Sequence, residues 1–193
     1  MARPREFDCD AALEQALCVF WARGYEGVSI DDLCAAMKLS RSSLYAAFGG
    51  KRRLYENALE RYEAASVARL THTLEGAGPV RKGVARIFEN LIDDIVRGPG
   101  RRGCFIGNCA AELVAVDKRS AARVRRSFDR IEGVFSAALA KGLNAGELGA
   151  NADIRALARF ITSSIQGLRL IGKTGANRAA LNDIASYVLR VLH

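Results

Sequence analysis

The stretch Ser29-Ile-Asp-Asp-Leu-Cys-Ala-Ala-Met37-Lys-Leu-Ser40-Arg-Ser-Ser-Leu-Tyr-Ala-Ala-Phe48 decides how the chain is read. Ser29 can cap a helix, and Asp32 three residues on completes a capping box with Asp in place of the usual Glu. Ile30, Leu33, Cys34 and Met37 then share one helical face, which makes Cys34 a small core residue rather than a reactive thiol. Lys38-Leu39 is a tight link, and Ser40 is a second N-cap candidate. In the helix that follows, Leu44 and Phe48 face inward, while Arg41, Ser42, Ser43 and Tyr45 face out. Two short helices joined in this way, the second exposing small polar and basic groups, form a helix-turn-helix. The DNA major groove, ~12 Å wide, accepts one such helix end-on, so that its N-terminal side chains meet base edges. Tyr45 and Lys51 sit where a hydroxyl and an ammonium can bind phosphate, and the helix beginning at Lys51 adds the partial positive charge of its N-terminus.

Outward from this stretch the pattern stays helical. Leu13, Leu17, Phe20 and Trp21 fall on one face of a first helix that Gly24 ends. Gly49-Gly50 stops the outward-facing helix, and Lys51 opens a long one through Leu54, Ala58, Tyr62 and Ala65 toward Leu74. Glu75-Gly-Ala-Gly-Pro79 breaks the chain, and a helix over 80–96 carries Val84, Ile87, Phe88, Leu91 and Ile95. After the breaker-rich segment Gly98-Pro-Gly100 to Gly103, helices are expected over 104–116, 120–143, from Asp153 to about Ile171, and over 177–192. Alternating strand patterns are missing. The reading is an all-α protein of about nine helices. Residues 1–50 form the DNA-binding domain, and 51–193 form a helical domain for effector binding and dimerisation.

Composition narrows the function classes. Half of the 193 residues are hydrophobic, and the formal charge of +8 suggests a polyanionic partner. Lys38, Arg41, Lys51, Arg52 and Arg53 occur from Leu33 to Tyr55 without an acid, whereas the excess from Arg97 to Arg130 reads as a solvated helix face. No segment reaches the ~18 apolar residues of a membrane span, and residues 1–10 are too charged for a secretory leader, so a cytoplasmic protein without a membrane partner is expected. Five cysteines at irregular spacing argue against a disulfide framework or a zinc site, and no cofactor is expected. With only His72 and His193, both read as surface residues, the commonest general base is almost absent and an enzyme is not expected. A thiol enzyme built on Cys104 or Cys109 lacks a histidine near either in sequence. A helical interaction protein that binds an acidic partner without sequence preference is the competing class. Cys104 follows Gly-Pro-Gly-Arg-Arg, at a helix start where Arg101 and Arg102 would favour thiolate and a sensing role. The alternative makes Cys104 and Cys109 small buried residues beside a ligand pocket.

Gly24-Tyr-Glu-Gly-Val-Ser-Ile-Asp-Asp-Leu-Cys-Ala-Ala-Met37, with Ser40-Arg-Ser-Ser-Leu-Tyr-Ala-Ala-Phe-Gly-Gly-Lys51-Arg-Arg-Leu-Tyr55, resembles the N-terminal domain of the tetracycline-repressor (TetR) family. The resemblance implies a transcriptional regulator, usually a repressor. Such a protein binds a near-palindromic double-stranded operator as a homodimer and leaves it when a small molecule, here unknown, enters the C-terminal domain. It assigns DNA contacts to Ser29, Ser40, Arg41, Ser42, Ser43, Tyr45 and Lys51. Ser42 stands where the family often has Gly, and Ala46-Ala47 replace bulkier residues, so base preference does not carry over. The resemblance also places the dimer interface on the last two helices. There Leu157, Phe160, Ile161, Ser164, Gly167 and Leu168 recur at helical spacing, as do Leu181, Ile184 and Val188; an intramolecular core is the alternative for both stripes. Phe88, Leu91, Cys104, Phe105, Cys109, Phe128 and Phe135 are candidates to line a ligand cavity, with core packing the alternative for each.

Overall fold

Asp8 starts the first helix by accepting hydrogen bonds from the Asp10 and Ala11 amides, at 2.8 and 3.2 Å, and the same device recurs along the chain. The computed structural model describes residues 7–192; residues 1–6 and His193 lie outside it. Among the described residues there are nine α-helices and no strand. They are α1 (Cys9–Arg23), α2 (Ile30–Met37), α3 (Arg41–Phe48), α4 (Lys51–Gly76), α5 (Val80–Arg97), α6 (Phe105–Leu113), α7 (Lys118–Asn144), α8 (Ile154–Lys173) and α9 (Arg178–Arg190). A single 3-10 turn, Pro99–Arg102, joins α5 to α6. Ser29 and Asp32 form the expected capping box, Ser40 caps α3, and Asp117, Asp153 and Asn177 cap α7, α8 and α9. The link between α2 and α3 turns at Lys38, which closes α2 in the left-handed conformation at φ 54°. Gly49, at φ 74°, closes α3. Among the described residues no helix is long and apolar enough to cross a membrane.

The long helix α4 joins the two halves. It packs on α1 and α3 on one side and on α5, α6 and α7 on the other. Phe20, Leu33, Leu44 and Leu54 fill the core of the first half, and Phe88, Ile92, Phe135 and Leu139 that of the second. Helix α8 lies along α7, and α9 closes against α5 and α8. This packing corrects part of the expected dimer stripe. Ile161, Leu168, Leu181 and Val188 are buried inside the chain's own core, and Leu157 and Ile184 pack half-buried against it. Helical spacing grouped them with outward residues because an apolar stripe wider than 100° spans both faces of a thin helical layer. What α8 and α9 turn outward is Phe160, Leu170, Ile171, Tyr187 and Val191, with Leu170 67% and Tyr187 65% exposed. Ser164 is half-buried, and a Cβ placed on Gly167 would meet open space.

Candidate nucleic-acid interface and the cavity behind it

Helix α3 is held from below by Leu44 and Phe48 and offers its N-terminal end to solvent. Arg41, Ser42 and Tyr45 are exposed, Tyr45 by 54%, and Ser43 is half-buried. The serines form a small network in which Ser40 Oγ accepts from the Ser43 amide at 3.1 Å and lies 2.9 and 2.8 Å from the Ser42 and Ser43 hydroxyls. Ser29 is equally committed: its hydroxyl donates to Asp32 at 2.6 Å and accepts from the Asp32 amide at 3.1 Å. Arg41 is exposed but engaged, since its Nε and Nη2 donate to the two Asp31 oxygens at 2.8 and 2.6 Å. That guanidinium holds the Asp31 carboxyl below its ordinary range. Asp31, ten residues before Arg41, carried no sequence signal, because the pair forms across the turn between α2 and α3.

Tyr45 lies against Gly50, whose missing side chain lets the ring approach: a Cβ there would sit 3.1 Å from it. Helix α4 starts directly behind, with no side chain capping its first amides. Free amides at a helix N-terminus form an anion site. The ammonium of Lys51, the first residue of α4, lies 4.3 Å from the centre of the Tyr25 ring. Arg41, Ser42, Tyr45, Lys51 and the α4 amides thus gather hydroxyl, guanidinium, ammonium and free amide donors at one end of the molecule, groups of the kind that bind base edges and phosphates.

The body grips this head at two points that sequence reading did not find, and the start of α4 is tied to the start of α7. Glu112, in α6, accepts from the backbone amides of Tyr25 and Glu26 at 2.9 and 2.8 Å, fastening the loop between α1 and α2. The Trp21 indole donates to the Gly103 carbonyl at 3.2 Å, just before α6. Arg52 binds Asp117 and the Ser120 hydroxyl at the start of α7, and the Ser120 hydroxyl and Arg52 together hold the Asp117 carboxyl far below its usual range. The segment from Gly103 to Glu112, which holds most of α6, therefore touches the N-terminal helices at both of its ends.

Behind the head a cavity of about 840 Å³ opens between α1, α4, α5 and α8. Of the seven expected lining residues it includes Leu91 and Cys104. Phe88, Phe105, Cys109 and Phe135 are instead buried in the core, and Phe128 packs half-buried beside it. Phe105 is held by the edges of Tyr55 and Tyr62, and Cys109 by Tyr55 and Ser120, with burial pushing its thiol up. Arg101 and Arg102 do not attend Cys104 as expected: Arg102 stacks on Trp21, and the hydrogen-bonding neighbours of the buried Cys104 thiol are Tyr62 and Arg169. Trp21, Tyr62, Gln166 and Arg169 also line the cavity; sequence did not mark them as lining, because they come from three helices far apart in the chain.

The profile described as "Bacterial regulatory proteins, tetR family" matches residues 12–58, and "Tetracyclin repressor-like, C-terminal domain" matches residues 79–188. The chain is 34% identical to the HTH-type transcriptional regulator YezE of Bacillus subtilis over the whole of both proteins. It is 31% identical to the HTH-type transcriptional repressor ComR of Escherichia coli, covering 98% of this chain and 90% of that one. Its fold matches, with a TM-score of 0.87 and 33% identity, a cysteine mutant of the regulator CifR in complex with a 26-bp double-strand operator DNA; the match covers 99% of this chain and 100% of that one.

Proposed function

The chain belongs to the tetracycline-repressor family and is a DNA-binding transcriptional regulator, and from that premise we propose that it is a repressor, lifted from its operator by a small molecule bound in the cavity behind the head. In this reading Arg41 and Ser42 meet base edges. Tyr45, Lys51 and the first amides of α4 grip phosphate, while Ser29, Ser40 and Ser43 fix the two short helices and meet the backbone. Residues 1–50 read DNA, and 51–193 sense and pair. The protein works in the cytoplasm, and its role is binding rather than catalysis; the phenol, guanidinium and hydroxyl neighbours of Cys104 and Cys109 support that assignment. The pairing surface is the outward face of α8 and α9 around Phe160, Gly167, Leu170 and Tyr187.

The observation that carries the reading is the exposed N-terminal end of α3 set directly beside the uncapped N-terminus of α4. A ligand in the cavity would act on α6, whose two ends hold the head through Gly103 and Glu112. The test is retardation of the chain's own upstream DNA against a scrambled competitor of equal length. Selective retardation supports the reading; equal, salt-sensitive retardation of both DNAs would make the chain a nonspecific polyanion binder instead.

A further inference from the structure

Arg169, in α8, lines the cavity; the residue is half-buried and its Nε is shut off from solvent. Its Nη1 donates to the Tyr62 hydroxyl at 2.7 Å, the Cys104 thiol is a second neighbour, and its Nε has no hydrogen-bond partner among the described residues. No carboxylate lies within salt-bridge distance of it among the described residues. Burial pushes the Tyr62 hydroxyl up, so at neutral pH it remains a neutral phenol and leaves the positive charge uncancelled. Elsewhere the fold does pair its buried charge: Glu63 receives Arg130 at 2.8 Å and the Ser127 hydroxyl at 2.7 Å. The acids that touch the cavity are otherwise engaged or open to water. Glu14 pairs with Arg61, Asp93 with Arg97 and Arg178, and Asp94 is exposed. A buried cation without a counter-ion is costly, and an anionic ligand removes that cost.

We propose that the cavity binds a small organic carboxylate, its carboxyl group held by Arg169 and its apolar tail packed on Leu17, Ile87, Leu91 and Ile131. The planar guanidinium matches a carboxylate better than any other anchor, and the Tyr62 hydroxyl adds a donor. The volume of about 840 Å³ accommodates an aryl or alkyl chain besides the headgroup. Arg69 stands at the same cavity, bonded to the Ser66 hydroxyl at 3.3 Å, and draws anions toward it. The regulatory meaning of this site rests on the effector reading above; binding itself does not.

Trp21, the chain's single tryptophan, lines the cavity and reports on its filling. The full-length protein is titrated with matched carboxylate and primary-amide pairs bearing alkyl, phenyl and naphthyl tails, 4-phenylbutyrate against 4-phenylbutanamide among them, while Trp21 emission is followed. At least one carboxylate is expected to bind tenfold or more tightly than its amide, and Arg169→Gln to bring the two together. Equal or tighter binding of the amide throughout the panel, or no saturable binding by any carboxylate, would overturn the proposal. The wild-type comparison decides the matter even where Arg169→Gln fails to fold. Operator release is measured separately with the same compounds. Carboxylates that bind but leave the operator occupied would sink the effector reading and keep the site, whereas release by the amides alone would do the reverse.

Discussion

Arg41 cannot both hold Asp31 and reach a base, so the two carboxylate contacts at 2.8 and 2.6 Å are competitors of DNA. Arg41→Ala is expected to weaken operator binding tenfold or more without a change in thermal stability. Asp31→Asn is expected to tighten it severalfold, because it frees the guanidinium and removes a negative charge next to the proposed DNA-binding surface. Gel retardation and thermal melting of both variants check this, and a weakened Asp31→Asn would show that the pair pre-positions Arg41 instead. Lys51→Ala acts differently. Losing one phosphate contact lowers affinity for every sequence alike and reduces the slope of log affinity against log salt by about 1. Measured from low to moderate salt, an unchanged slope would remove Lys51 from the interface. Acid exposes a third residue. The Ser120 hydroxyl and Arg52 depress the Asp117 carboxyl, so the stability it contributes is fully present above the ordinary carboxylate pKa of about 4 and is lost as the pH falls below it. Asp117→Asn is expected to flatten stability against pH in that acidic window and to leave its dependence between pH 5 and 7 unchanged, as read by chemical denaturation across the range.

The short helices of the head were legible because their instructions are local. Ser29 with Asp32, Ser40 with Ser43, and Gly49 lie within a few residues of the amides and carbonyls they satisfy. Lys38 is the exception to that local consistency. A lysine in the left-handed region costs about 1 kcal/mol that glycine does not, so Lys38→Gly is expected to stabilise the protein by roughly that amount, seen as a higher melting temperature. The cavity was not legible for the opposite reason. Tyr62, Cys104 and Arg169 meet only through α4, α6 and α8, and each read by itself as one more position on a helix. The aromatic and cysteine candidates were drawn to the core because nothing in a helical period separates a residue facing a void from one facing a neighbour. Helix α6 shows the same gap, since Glu112 reads as an ordinary surface acid until the loop carrying Tyr25 is folded beside it. Glu112→Ala leaves two amides without their charged acceptor. It is expected to cost about 1.5–3 kcal/mol by chemical denaturation.

At the scale of the whole molecule, the outward apolar face of α8 and α9 is the surface proposed for assembly. Phe160, Leu170 and Tyr187, 43%, 67% and 65% exposed, lie on a face that a lone chain would present to water. Phe160→Asp or Gly167→Trp is expected to yield monomers by analytical ultracentrifugation with severely weakened operator binding, since each half-site then binds without the raised effective concentration of a linked partner. A monomeric wild-type chain that binds its operator fully would refute this surface. The sequence carried this face only in part: its period identified two apolar helices, but which side of each turns inward depends on α5 and α7, which are remote in the chain. Glu112 has one more consequence, for descent rather than for stability. It holds the head by main-chain amides, which every residue except proline supplies, so the clamp is indifferent to the side chains at positions 25 and 26. The exposed positions of α3 can therefore drift toward new operators while the joint to the body stays intact. Heads taken from divergent relatives that keep a tryptophan at position 21, whose indole holds Gly103, are then expected to be interchangeable on this body.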